Sequence, residues 1–311
     1  MRPAFRAFLT ELIDYAGLFP PAALDLEPAV RNHLAYRQGG DAWMLGRFIV
    51  PAARLGDLDA FADDFRRQPG TRFSVLGMKG FDGSLGATME LTSDKARAFE
   101  ARHEGAVRCD RFELRATPDD LGAMAETLGA MGLREGDAVA LEVPMTGDAY
   151  APDRIEHAAH AVAEANARAG TQRAALKLRC GGVTPDLVPG VERLAHAIAA
   201  CRDAGAPFKA TAGLHHPFPN HDEAVSARMH GFVNVFGGAC LAHAHSLDRD
   251  AIAEVLDDAD PSHFALADAF SWRGHAVSAE AVHTVRERAA LSFGSCSFDD
   301  PREDLVALGW M

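Results

Sequence analysis

The chain alternates between apolar, β-rich runs and segments with helical periodicity. The β-rich runs are eight in number and cover residues 43–50, 73–79, 107–116, 138–145, 174–180, 207–213, 231–237 and 263–270. The intervening segments place apolar residues three and four positions apart, as in helices that pack on one face. Eight strands alternating with helices in a chain of 311 residues predict an α/β fold, and specifically a single (β/α)8 barrel.

A doubly wound open sheet is the competing architecture, because it also alternates strands and helices. Its dinucleotide-binding form needs a turn with the spacing Gly-x-Gly-x-x-Gly. The early glycine-rich turn here, Lys79-Gly80-Phe81-Asp82-Gly83, lacks that spacing. We therefore favour one barrel domain over residues 1–311, with an N-terminal helix and loop cap (1–42) that closes the barrel bottom and a C-terminal extension (291–311).

Composition limits the classes of partner. The formal net charge of −13 predicts repulsion of nucleic acid and of anionic membranes. No apolar run approaches the ~20 residues of a membrane helix, and the N-terminus lacks a signal-peptide layout. The five cysteines include no Cys-x-x-Cys pair, so neither a disulfide framework nor a structural zinc site is expected. We expect a cytoplasmic protein with a small anionic substrate, and homo-oligomer formation is left open.

Charged side chains lie inside the predicted strands. Alternate residues of a barrel strand point into the interior, and chemistry sits at the carboxyl ends of the strands. This alternation directs eight polar residues inward: Glu113, Arg115, Glu142, Lys177, Arg179, Lys209, Thr211 and Asn234. Asp268 and Arg273 lie at the end of the last predicted strand. Burying so many charges costs several kcal/mol per ion, whereas apolar residues would fill the same space without that cost, so the set indicates a ligand site.

Lys177 and Lys209 fall on neighbouring predicted strands at similar depth. Like charges ~4–6 Å apart disfavour mutual protonation, and burial acts in the same direction. One amine is then neutral near pH 7 and can attack a carbonyl to form a Schiff base. Inward acids would move the proton and inward arginines would hold a carboxylate or phosphate; these are Glu113, Glu142, Arg115 and Arg179. The alternative is that both lysines stay charged, paired with acids or holding the substrate.

Two strand motifs resemble those of Schiff-base barrels. Phe208-Lys209-Ala210-Thr211-Ala212-Gly213 resembles the Lys-Thr-(Ser/Ala)-Thr-Gly strand of deoxyribose-phosphate aldolases, whose sixth-strand lysine forms the imine. Phe112-Glu113-Leu114-Arg115-Ala116 is similar to the Glu-Leu-Arg strand of type I 3-dehydroquinate dehydratases. The resemblance implies lyase or aldolase-type chemistry on a small anionic carbonyl compound, with Lys209 as the imine lysine and no cofactor. The aldolases' second lysine belongs on the seventh strand, where our strand count places Asn234.

His215 and His216 follow the strand that carries Lys209. One of them is a candidate general acid–base on a loop. The alternative is a divalent metal held by a histidine with Glu142, Glu113 or Asp268, which would indicate a metal-dependent hydrolase or isomerase. A barrel that binds a ligand without catalysis is the third interpretation.

Glycines follow the last two predicted strands, where such barrels commonly bind phosphate. Gly237 and Gly238 follow the predicted seventh strand, and Arg273-Gly274 follows the eighth. Backbone amides at such glycines can approach an anion closely. Ordinary tight turns are the alternative.

Overall fold

The computed structural model describes residues 2–78, 84–116, 120, 126–127, 132–147 and 150–311. Eight parallel strands form a closed barrel. They are β1 (Ile13–Tyr15), β2 (Leu45–Pro51), β3 (Thr71–Leu76), β4 (Val107–Arg115), β5 (Ala138–Glu142), β6 (Ala174–Arg179), β7 (Phe208–Thr211) and β8 (Ala290–Ser295). Each strand pairs with the next in the chain, and β8 pairs with β1. The predicted (β/α)8 architecture is confirmed.

Helices surround the barrel and connect its strands. They are α1 (Pro3–Leu9), α2 (Leu26–Tyr36), α3 (Ala62–Arg67), α4 (Leu85–Arg102), α5 (Pro152–Ala169), α6 (Val191–Ala204), α7 (Phe232–His245), α8 (Arg249–Asp257), α9 (Ala279–Arg288) and α10 (Asp299–Ala307). The chain enters the barrel through α1, so the predicted N-terminal helix is present. The turn at 79–83 and most of the helix predicted after β4 lie outside the described residues.

The hydrophobic core lies between the outer face of the barrel and the helices. Phe73 of β3 packs edge-on against Phe65 of α3 and Phe99 of α4, with ring centroids 5.8 and 5.5 Å apart. Phe293 of β8 instead stacks on Phe232 of α7, with ring centroids 5.5 Å apart and ring planes 18° from parallel. Because the outward residues of the strands build this core, the inward residues are free to carry polar groups.

Two of the predicted strands are wrong. Residues 232–237 lie in α7 and Gly231 caps its N-terminus, and Phe232, Val233, Val235 and Phe236 are all buried. A helix that is apolar on every side loses the spacing that marks an amphipathic helix, and Val233-Asn234-Val235 then resembles a strand. Residues 263–270 instead contribute to a three-stranded antiparallel sheet outside the barrel, made of Phe264–Leu266, Ala269–Trp272 and His275–Ser278.

The segments predicted as cap and extension supply the two missing barrel strands. β1 pairs with β8 through Ile13, Asp14 and Tyr15, and it also pairs with β2. A strand of three residues is too short to show a reliable alternation, which is why the sequence pattern missed it. The strand numbers therefore shift by one, so that Lys177 lies on β6 and Lys209 on β7.

Candidate active site

A row of alternating charges crosses the interior of the barrel. Its members, in order of contact, are Asp14, Lys209, Glu113, Lys177, Glu142 and Arg179. Side chains from β1, β4 and β7, which are not neighbouring strands, can meet only inside a closed barrel. The sequence alternation is thus confirmed for the five predicted members of this row, and Asp14 is the member that it missed.

Lys209 lies between two carboxylates. Its Nζ donates to Oδ2 of Asp14 and to Oε1 of Glu113, both at 2.6 Å. The Lys209 side chain is 6% exposed and both acids are 1% exposed. Ser292 of β8 donates a further hydrogen bond to Oδ2 of Asp14 at 2.8 Å. Such short, charge-assisted contacts offset the cost of burying the ammonium group.

Glu113 connects the two lysines. Its Oε1 also accepts from Ser74 Oγ at 2.6 Å, and its Oε2 lies 3.0 Å from Lys177 Nζ. Burial alone would raise the pKa of Glu113, but the charges of Lys209 and Lys177 outweigh it and hold that pKa well below its usual range. The carboxylate therefore stays ionised at neutral pH.

Lys177 and Glu142 extend the row toward the carboxyl end of the strands. Lys177 Nζ lies 2.8 Å from Glu142 Oε2, and Arg179 donates to Glu142 Oε1 through Nη2 at 2.8 Å. Burial would raise the pKa of Glu142, but Lys177 and Arg179 lower it to about 2. Burial would lower the pKa of Lys177, but Glu113 and Glu142 raise it above its usual value.

The prediction that repulsion between the two lysines and burial would lower the pKa of one amine is wrong for Lys177. The two residues are direct register partners on β6 and β7, as their spacing suggested. Their amines are separated, however, by Glu113, which contacts both. Since Lys177 also contacts a second carboxylate, that of Glu142, attraction by the two acids raises the pKa of Lys177.

A cavity of about 380 Å³ reaches the row from the amino-terminal end of the strands. Asp14, Glu113 and Lys209 form part of its lining. Ala138 and Ala140 of β5 and Ala175 of β6 also line it, and their small side chains leave the space open. This position is unusual, because barrels of this class generally bind substrate at the carboxyl end.

The carboxyl end carries other predicted residues. Arg115, the last residue of β4, is exposed, and Thr211, the last residue of β7, is half-buried. The next residue, Ala212, has a φ of +63°, and Gly213 has a φ of +74°. A Cβ on Gly181, after β6, would lie 2.9 Å from Cα of Gly213, so the two strand ends approach closely there. Positive φ at a non-glycine residue costs free energy and marks a constrained turn.

The adjacent histidines diverge. Nδ1 of His216 lies 2.6 Å from Oδ2 of Asp304 on α10. The ring of His215 lies 3.9 Å from Sγ of Cys296, and its Nδ1 is 3.9 Å from Asp300. Burial lowers the pKa of His215. The two imidazoles therefore do not point to one ion.

Asn234, Gly237 and Gly238 do not belong to the site, because all three lie in α7. The Asn234 amide nitrogen donates to the backbone carbonyls of Val255 and Asp258, both at 2.7 Å. This side chain attaches α7 to the C-terminal end of α8. The predicted anion site at these glycines is thus wrong.

Asp268 and Arg273 also lie away from the barrel interior. Asp268 is exposed between two strands of the antiparallel sheet. Arg273 and Gly274 form a two-residue hairpin turn, with φ of +42° and +86°. Positive φ at both positions is what a type I′ turn requires. Arg273 lies 2.9 Å from Asp258, so this turn is structural rather than a phosphate loop.

Several interior polar residues escaped the sequence analysis. They are Asp14, Arg47, Ser74, Arg111 and Ser292, all of which line the cavity. Arg111 lies two residues before Glu113 on β4, so the same alternation could have found it. Asp14 stands between apolar neighbours in Ile13-Asp14-Tyr15, a signal that becomes readable only when β1 is recognised.

Similarity to known proteins assigns no family to this chain. Among the described residues, no three His, Cys, Asp or Glu side chains are grouped so that they could hold a metal ion. None of the described helices is long and apolar enough to cross a membrane. No family model matches this chain, and no curated protein matches it.

Proposed function

We propose that the protein is a lyase or aldolase-type enzyme that forms a Schiff base between Lys209 and a small anionic carbonyl compound. The observation that carries the proposal is the placement of Lys209 between Asp14 and Glu113 at the inner end of a cavity. The two carboxylates within hydrogen-bond distance are acceptors to which the buried ammonium can pass a proton before its nitrogen attacks a carbonyl.

The use of lysine at these positions supports the proposal. The chain has four lysines among its 31 basic residues, and two of the four lie in the row. Arginine pairs with a carboxylate through a rigid bidentate fork and does not lose its proton at neutral pH. A permanent ion pair on Glu113 would therefore favour arginine, whereas an amine that must become neutral has to be lysine.

The charges also suit the reaction. The Lys209 ammonium gives a proton to Asp14, and the neutral amine attacks the carbonyl carbon. The carbonyl oxygen leaves as water with two hydrogens that began on the nitrogen, and a protonated imine remains. One positive charge on nitrogen is present before and after the step, so the carboxylates that hold the ammonium also hold the iminium.

The other charged residues of the row keep Glu113 ionised and hold Lys177 in place. Lys177 keeps Glu113 ionised, so that Asp14 is the acceptor left for the proton. Glu142 and Arg179 hold Lys177 from the other side. The protonated imine then withdraws electrons from the adjacent carbon, which permits bond cleavage or loss of water there. The proposal needs no cofactor.

The aldolase resemblance favours a different lysine by strand number. Its imine lysine belongs on the sixth strand and its second lysine on the seventh, and these positions hold Lys177 and Lys209 respectively. The cavity supports Lys209, because Lys209 forms part of its lining. The experiment must therefore separate the two lysines.

Borohydride reduction separates them. The protein is incubated with pyruvate, acetaldehyde or dihydroxyacetone phosphate, reduced, digested and mapped by mass spectrometry. We expect a reduced adduct on Lys209 that is lost in Lys209→Arg and kept in Lys95→Arg, a matched change at the exposed lysine of α4. An adduct on Lys177 alone would reassign the nucleophile, and binding of all three probes without any interior adduct would refute the Schiff-base chemistry.

A further inference from the structure

We infer that the substrate reaches Lys209 from the amino-terminal end of the strands and that Arg111 binds its carboxylate there. This inference rests on the proposed function, because it assumes that Lys209 is the reacting group. Arg111 of β4 and Lys209 of β7 line the same cavity. Its volume of about 380 Å³ lies at the small end of the range for ligand pockets, ~300–1,000 Å³.

Arg111 presents an unused edge of its guanidinium group. Its Nη1 donates to the backbone carbonyls of Asp110 and Gly136, both at 2.8 Å. Within the described part of the chain, its Nε and Nη2 donate no hydrogen bond. These two nitrogens form the edge that binds a carboxylate in a bidentate manner.

The carboxylate of Asp110, the residue before Arg111, is paired with Arg47. Asp110 Oδ2 lies 4.0 Å from Nη1 of Arg111. Both oxygens of Asp110 instead accept from Arg47, at 2.6 and 2.8 Å. Burial and the charge of Arg47 lower the pKa of Arg111 to about 10, as expected for a cation with too little negative charge around it.

Most charged residues of the cavity lining are paired with a residue of opposite charge, but two of its arginines donate their hydrogen bonds to backbone carbonyls instead. Glu11 pairs with Arg72 at 2.6 Å, and the acids of the row pair with its own bases. Arg286 is buried and donates to the backbone carbonyls of Phe8, Thr10, Ala290 and Leu291. Arg111 and Arg286 are therefore the cations of the lining whose hydrogen bonds go to backbone carbonyls.

A monoanionic carboxylate fits this lining better than a phosphate. Among the described residues of the lining, Glu287 is the one acid outside these pairs, and its side chain is 61% exposed. A phosphate monoester carries about −1.5 to −2 charges at pH 7. A charge of that size would lie near Asp14 and Glu113, and the cations Arg111 and Arg286 would not neutralise it together with Glu287. A single carboxylate bound to Arg111 leaves the net charge of these groups close to zero.

The test compares two arginines of one strand. Arg111 lies at the cavity, while Arg115, four residues later on β4, is exposed at the carboxyl end. Binding of pyruvate and of lactate, which lacks the carbonyl, is measured by calorimetry for the wild type, Arg111→Ala, Arg111→Lys and Arg115→Ala. We expect Arg111→Ala to weaken binding of both acids about tenfold or more, Arg111→Lys to restore part of it, and Arg115→Ala to have little effect.

A substitution that fills the cavity without changing any charge gives a second test of where lactate binds. Ala175→Leu on β6 should block lactate binding while the circular dichroism spectrum stays that of the wild type. Weaker binding in Arg115→Ala with none in Arg111→Ala would overturn the inference, as would tighter binding of inorganic phosphate than of lactate. Lactate binding that depends on Arg111, with no reducible adduct, would refute the Schiff base alone and leave this route into the barrel standing.

Discussion

Glu113 is the residue on which both interior lysines depend. Replacement by glutamine keeps the shape of the side chain and removes the charge that Lys209 and Lys177 share. Removing one partner of a buried ion pair leaves an uncompensated charge, at a cost of about 3–5 kcal/mol. We expect Glu113→Gln to lower the free energy of unfolding in urea by that amount.

The matched control for this substitution is Glu287→Gln on the exposed face of α9. It should change the free energy of unfolding by less than about 0.5 kcal/mol, as surface substitutions usually do. Equal effects of the two substitutions would show that the row contributes nothing to stability.

The lowered pKa values of Glu113 and Glu142 predict acid sensitivity. The pKa of Glu142 falls from 4.5 to about 2 on folding, so the unfolded chain binds more protons between these values. The contribution of this group is fully present above its unfolded pKa and is lost as the pH falls from 4.5 toward 2. Urea midpoints measured from pH 7 down to pH 2.5 should decline in that window, and Glu142→Gln should flatten the decline. An identical decline in the variant would contradict the assignment.

Single residues of the row were predictable, but their partners were not. Inward placement of Lys177, Lys209 and Glu113 follows from apolar neighbours on both sides, which is local information. Contact between Lys209 and Asp14 depends on barrel closure between β8 and β1, and no local pattern specifies it. The same reason explains why the sequence suggested repelling lysines while the structure places Glu113 between them.

At the scale of elements, α7 shows why two glycines were misassigned. A Cβ on Gly237 would lie 2.2 Å from Cζ of Phe270, which is fully buried in the antiparallel sheet. A Cβ on Gly238 would lie 3.5 Å from its nearest neighbour, Val255 Cγ1. Gly237 therefore permits close packing of helix and sheet, and Gly238 has no such need.

Alanine at each glycine distinguishes these roles. Gly237→Ala should destabilise the protein by about 1–3 kcal/mol through overpacking. Gly238→Ala should be neutral or should stabilise by up to about 1 kcal/mol, because alanine favours helix more than glycine does. Urea unfolding measures both. Equal destabilisation by the two substitutions would show that the α7 packing described above does not set their effect.

For the whole molecule, closure depends on the short strand β1. It joins β8 to β2, and its Asp14 carries the first negative charge of the row. The alternation of strands and helices predicted a barrel, but the sequence pattern chose the wrong segments for two of its eight strands. The predicted number of eight strands was nevertheless right, because the helix α7 and a part of the antiparallel sheet were counted as strands in place of β1 and β8.

Removal of residues 2–16 tests the role of β1 in closure. The shortened chain would expose unpaired edges on β2 and β8, which are open to pairing with other chains. We expect loss of a single cooperative urea transition and self-association on size-exclusion chromatography. Asp14→Asn keeps the strand and removes only its charge, so it should stay monodisperse and unfold cooperatively at a lower urea midpoint. Cooperative unfolding of the shortened chain with no self-association would mean that seven strands suffice and that neither β1 nor its Asp14 is required for a closed, cooperative fold.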